Sequence, residues 1–262
     1  MEANMERTHW YDRVWAAFIF FTRLPFWRLH EPPQACYRTV VEHWPLTGWL
    51  TGGVAAVTLW LGTQYLPYAL AVLLAIVARL LLTGALHEDG LADFLDGFGG
   101  GAGDRTRILT IMKDSHIGTY GVLGLILYEL MLAAALFSLN PIVAACAIWA
   151  ADPYAKMLTA PLVVVMPYAR REEEAKAKVV YRKMSWWAGV SLLIQGLLPM
   201  GVFIWLMNIY WGWLLIVPSL VMVALSLYIW RRLRGYTGDC CGAVCLLVEL
   251  STLLVIVAEM VW

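Results

Sequence analysis

Residues 67–101 read PYALAVLLAIVARLLLTGALHEDGLADFLDGFGGG. The first part, Pro67–Leu86, is almost wholly apolar, with Arg79 its one charge. The next ten residues carry His87, Glu88, Asp89, Asp93 and Asp96. A helix needs about 20 apolar residues to cross about 30 Å of hydrocarbon. The stretch therefore reads as a membrane span delivering an acidic helix to the bilayer edge.

The rest of the chain agrees. Of its 262 residues 61% are hydrophobic and 15% charged, whereas soluble domains sit nearer half and a quarter. Further apolar runs cover Trp44–Gly62, Gly121–Leu139, Pro141–Val165, Trp186–Met207, Gly212–Trp230 and Ala243–Trp262. Together these predict an all-α, polytopic membrane bundle of about seven spans, forming one domain over residues 1–262. WYDRVWAAFIFF (10–21) places Trp10, Val14, Phe18 and Phe21 at helical spacing. That spacing suits either a helix lying in the headgroup layer or a short core helix. No cleavable leader is read at the N-terminus. The five cysteines form no CxxC pair and read as small hydrophobes.

The net charge of zero gives no electrostatic case for nucleic acid. Its distribution says more. With seven spans, the connections near Gln64, Asn140 and Asn208 carry no Lys or Arg, while the opposite side collects Arg23, Arg28, Arg38, Arg105, Arg107, Lys113, the basic residues of 170–183 and those of 231–234. Positive charge stays on the cytoplasmic side. The N-terminus, the acidic stretch and the loops at 166–185 and 231–242 thus share the cytoplasmic face, and the C-terminus lies outside.

Three polar segments meet there. In HEDGLADFLDGFGGGAGDRTRILTIMKDSHIGTYG (87–121), Asp89, Asp93 and Asp96 stand at i, i+4 and i+7. If the helix continues through Gly90, they share one face. Like charges so spaced repel, and a divalent cation with a taste for oxygen, Mg2+ or Ca2+, relieves them. Glu88 and Asp114 could add a ligand or a base. His87 could orient a carboxylate or phosphate, or simply sit at the interface. The glycines of 99–103 could cradle phosphate, though no Walker A motif follows. Arg105, Arg107 and Lys113, on an amphipathic helix, are candidate phosphate partners. FFTRLPFWRL (20–29) adds Arg23. In RRLRGYTGDCCGAVCLLVEL (231–250), Asp239 is either a further ligand or the N-cap of the last helix. Within the spans, Arg79, Glu129, Asp152, Lys156, Glu249 and Glu259 should face the interior and pair there. REEEAKAK (171–178) reads as a solvated run, and the small-residue spacings Gly48–Gly52 and Gly118–Gly121–Gly124 as tight packing.

FFTRLP, HEDGLADFLDG, IMKDSHIGTYG and GYTGDCCGAVCLLVE, in that order, resemble the cobalamin synthase family, the adenosylcobinamide-GDP ribazoletransferases. The likeness spans about residues 20–250. It departs at His116, where the family pattern implies Arg after KDS. The resemblance implies a Mg2+-dependent transferase of the inner membrane, acting in nucleotide-loop assembly of vitamin B12. Such an enzyme joins α-ribazole or α-ribazole 5′-phosphate to adenosylcobinamide-GDP and releases GMP. On that reading Asp89, Asp93 and Asp96 hold metal and diphosphate, and Asp96 or Asp114 is the general base. Arg23, His87, Arg105, Arg107, Lys113, His116 and Asp239 contact substrate. A homo-oligomer or an association with other corrinoid enzymes is compatible with it. A CDP-alcohol phosphotransferase would carry an Arg where Ala92-Asp93 stands, and an ion-coupled transporter would keep its acids near the midplane. Here they gather at one face.

Overall fold

A computed structural model describes residues 9–170 and 184–261. The REEEAKAK run lies outside the described residues. The fold is α1 (Trp10–Phe21), α2 (Trp44–Tyr65), α3 (Tyr68–Thr83), α4 (Leu86–Gly100), α5 (Arg105–Ile111), α6 (Thr119–Phe137), α7 (Pro141–Thr159), α8 (Leu162–Val165), α9 (Trp186–Met207), α10 (Trp211–Leu233) and α11 (Gly238–Val261). Short 3-10 turns at Phe26–Arg28 and Gln34–His43 join α1 to α2. Among the described residues there is no strand, only an isolated parallel bridge between Tyr168 and Tyr236.

Among the described residues, four helices are long and apolar enough to span a membrane: α6, α9, α10 and α11. A fifth crossing is available if α3 and α4 are taken together, but that pair is bent by 89°. The apolar run at 67–86 does not continue straight, because Gly84 (φ 65°) and Ala85 (φ 54°) are both left-handed. Gly84 ends α3 by donating its amide to the Leu80 carbonyl, the usual work of a glycine just past a helix. The run expected at Pro141–Val165 likewise stops at Thr159, just before Pro161.

The expected spans at 44–62 and 141–165 form α2 and α7, which fall short of the four in apolar character. Their surroundings explain this. They pack closely on each other along one side, which accommodates threonines, glycines and the Asp152–Lys156 ion pair. By contrast α6 and α10 keep Leu123, Ile126, Leu220 and Leu227 exposed, as lipid-facing helices do. α11 is the central helix, with 78% of its most apolar window inside the protein. Its cysteines Cys240, Cys241 and Cys245 are buried and unpaired.

The α2–α7 contact relies on missing side chains. A Cβ on Gly48 would lie 2.8 Å from the Pro153 Cα and 3.0 Å from the Asp152 Oδ1; on Gly52 it would lie 3.1 Å from the Ile148 carbonyl. Gly53, one residue on, would meet nothing nearer than 3.7 Å. Gly48→Ala should therefore destabilise the protein by about 1–3 kcal/mol, the usual cost of overpacking. Gly53→Ala should leave stability unchanged or slightly raised, since alanine favours helix over glycine. Thermal unfolding of both variants in detergent checks the contrast.

Candidate active site

The break between α3 and α4 turns the acidic helix back onto α11. The two cross where both lack side chains. A Cβ at Gly90 would sit 3.1 Å from the Asp239 Cα, and one at Gly242 would sit 3.1 Å from the His87 carbonyl. Backbone thus meets backbone, and the first turns of α4 and α11 come together with their acids. Thr237 caps α11, its hydroxyl accepting the Cys240 amide at 3.3 Å. The expected capping role of Asp239 is therefore taken by its neighbour, and Asp239, at the second helical position, lines a cavity.

That cavity has a volume of about 310 Å³ and is walled by Asp89, His87, Asp239, Tyr168, Arg170 and the aromatic side chains of Phe20, Phe21 and Trp44. The His87 ring stacks on Trp44 and Phe21, with centroids 5.7 and 6.2 Å away. Its floor is ionic. Arg79 of α3 pairs with Glu249 of α11, Lys156 pairs with Asp152 of α7, and the Thr51 hydroxyl donates to Asp152 at 2.6 Å. These buried residues behave as the intramembrane charges were expected to. Removing one partner of such a pair costs about 3–5 kcal/mol.

A second, more open cavity of about 990 Å³ adjoins the first. Arg105, Lys113, Asp114, Tyr168 and Arg170 line it. Tyr168 and Arg170 belong to both walls. Their segment is fastened to the turn before α11: Tyr236 donates to the Pro167 carbonyl (2.9 Å) and Ala169 to the Tyr236 carbonyl (2.8 Å). Arg105 completes the clasp. Its Nε donates to the Leu233 carbonyl and one Nη to the Ala169 carbonyl, both at 2.7 Å.

Asp96 serves a different end. α6 begins after Gly118, which has no side chain to cap it. Asp96 reaches across from α4 and accepts the amides of Gly118 (2.6 Å) and Gly121 (2.8 Å), one with each carboxylate oxygen. Two orphan amides and the positive end of the α6 dipole are thereby satisfied. The loop between α5 and α6 is held in place by this contact. On that loop, His116 hydrogen-bonds Asp114 through its ring (2.7 Å) and its amide (3.1 Å). The Asp114 side-chain bond raises the His116 pKa above the ordinary imidazole value, and the same bond lowers that of Asp114.

A model of the cobalamin-5-phosphate synthase family matches residues 13–257. The chain belongs to the cobalamin-5-phosphate synthase family. Among its relatives, the adenosylcobinamide-GDP ribazoletransferase of Leptothrix cholodnii is 38% identical, over 91% of this chain and 92% of the relative. That of Ralstonia pickettii is 37% identical, over 95% and 96%, and that of Shewanella oneidensis 35%, over 96% and 98%. No solved structure matches the chain.

Within this cobalamin-5-phosphate synthase fold, the residues expected from sequence divide into groups. α4 does run unbroken through Gly90, so Asp89, Asp93 and Asp96 share one helix. Seven residues separate the outer two, which is about 10 Å along the axis. Among the described residues, no three metal-ligating side chains gather around one point. Asp89, His87 and Asp239 share the smaller cavity, while Arg105, Lys113 and Asp114 line the larger. Arg23 and Arg107 line neither. Arg23 lies across Gly84, where a Cβ would come within 2.1 Å of its Nε, and ties its amide to the Leu82 carbonyl. The glycines at 99–101 are packing positions against Tyr120, Ile111 and Ile108 rather than a phosphate loop. Tyr168 and Arg170 were missed; a Tyr-Ala-Arg at the start of a basic loop on the acidic face was the available signal.

Two outcomes follow from this geometry. Asp96→Ala should destabilise the protein by about 1–2 kcal/mol, as loss of an N-cap does, measured by detergent-phase unfolding. For the loop pair, His116 stays protonated above its ordinary pKa, and the attraction fades as pH rises through that raised value. Asp114→Asn should move the His116 titration back down toward about 6.5, followed by the ring proton resonances.

Proposed function

We propose that this chain joins α-ribazole or α-ribazole 5′-phosphate to adenosylcobinamide-GDP and releases GMP, as an adenosylcobinamide-GDP ribazoletransferase. Its membership of the family carries the reading. The observation that supports it in the fold is the meeting of all four motif segments at two adjoining cavities, one acidic and one basic.

The acidic cavity is the better candidate for the metal. Mg2+ takes one or two carboxylates and completes its shell with water and substrate phosphate. Asp89, with Asp93 one turn along α4 or Asp239 across the cavity, offers such a partial set, and hard carboxylate oxygens suit the ion. Once bound, it supplies charge neutralisation on the diphosphate and the leaving GMP. The chain's own residues do the rest. Lys113 offers the larger cavity a positive charge, whereas Arg105 gives two of its donors to main-chain carbonyls. Asp96 holds two amides, which supports Asp114 as acceptor of the ribazole hydroxyl proton, with His116 keeping it in place. Phe20, Phe21 and Trp44 close the acidic cavity with apolar surface, excluding water from a site where hydrolysis of the diphosphate would compete.

The same convergence supports the membrane topology. Residues from the N-terminal segment, the acidic stretch, and the 166–170 and 236–242 segments all line these cavities, as they must if one face carries them. We assign that face to the cytoplasm. α2, α3, α6, α7, α9, α10 and α11 are then the seven crossings of the inner membrane, with the C-terminus outside.

Purified protein supplied with Mg2+, α-ribazole and adenosylcobinamide-GDP should release GMP. Asp89→Asn should cut kcat/KM for that release by about 100-fold or more, the scale of a lost transition-state charge contact, while the variant stays folded. Full activity in both Asp89→Asn and Asp93→Asn would overturn the metal assignment.

A further inference from the structure

We propose that Arg170 anchors the diphosphate of the nucleotide-linked substrate, at the junction of the two cavities. The inference rests on the transferase reading above and adds a residue to it.

Position comes first. Arg170 is one of two side chains that line both cavities, the other being Tyr168. A substrate whose reacting diphosphate lies beside Asp89 and Asp239, with the rest of the molecule extending into the open groove, must pass this point. The guanidinium is also incompletely used. One Nη donates to the Leu109 carbonyl at 3.1 Å, but the buried Nε–H has no partner. A buried donor left without an acceptor is costly, and a guanidinium edge matches two phosphate oxygens at once.

The mounting is rigid. The backbone on the N-terminal side of Arg170 is clamped by the Tyr236–Pro167 and Ala169–Tyr236 hydrogen bonds and by Arg105 on the Ala169 carbonyl. A pre-positioned arginine loses little side-chain freedom when an anion arrives. Arg105 explains the division of labour. It is the arginine sequence reasoning picked for phosphate, yet two of its donors are occupied by main-chain carbonyls. Arg105 therefore acts as a brace and Arg170 as the anion contact.

The test separates the diphosphate contact from a merely structural latch on Leu109. Steady-state GMP release is measured for wild type, Arg170→Lys and Arg170→Gln, varying adenosylcobinamide-GDP and α-ribazole separately. Binding of GDP with Mg2+ is measured by calorimetry. Loss of a charge-assisted contact should raise KM for adenosylcobinamide-GDP and Kd for GDP about 10- to 100-fold in Arg170→Gln. KM for α-ribazole should hold constant. Arg170→Lys, which keeps the charge but loses the planar fork, should fall between. Equal effects on both substrates, or wild-type GDP affinity in Arg170→Gln, would overturn the proposal. If Arg170→Gln fails to fold, the lysine variant decides: unchanged GDP affinity in it counts against a two-point contact. Wild-type protein that binds GDP but releases no GMP would instead overturn the transferase reading.

Discussion

The site depends on a contact between two backbones. α4 and α11 can cross at the level of their first turns only because Gly90 and Gly242 offer no side chain to the opposing helix. Any Cβ there would push apart the two first turns and, with them, Asp89 and Asp239. Close approach through glycine is a familiar device in membrane helices, where there is little hydrophobic drive to bring helices together. Here it does more than pack helices. It sets the width of the acidic cavity, and it brings the His87 carbonyl and the Asp239 backbone within van der Waals range of the facing helix.

A second constraint concerns charge at the bilayer edge. The acids of α4 face different surroundings. Each meets a different need according to its depth. Asp89, at the start, is exposed and lines the cavity; Asp96, two turns on, is buried and satisfies the amides of α6. Glu88 points the other way, into the protein, near the Arg79–Glu249 pair. A helix that looked uniformly acidic thus turns its acids toward different parts of the protein.

Much of this was legible. The apolar runs and the continuity of α4 through Gly90 follow from residue type and spacing. The motif order led to the correct family. What was not legible has a common physical cause. The role of Asp96 depends on amides 22 and 25 residues away, and Arg105 finds carbonyls from two distant segments. Local spacing carries no trace of such partners. The stop at Gly84 was visible in principle, as a glycine in the last turn of a run, but the continuing hydrophobicity of Ala85-Leu86 masked it. That α2 and α7 would pack on each other was legible only as the small-residue spacing Gly48–Gly52, which does not name its partner.

The bend at Gly84 has a consequence for the membrane itself. α3 has 16 residues and so rises about 24 Å, less than the roughly 30 Å of a hydrocarbon core. If α3 is one of the crossings proposed above, so short a helix creates hydrophobic mismatch, relieved by thinning of the bilayer or by snorkelling of flanking side chains. On that topology a thinned leaflet would dip toward the polar cleft. The length of the surrounding lipid chains would then bear on the shape of the site as its own side chains do.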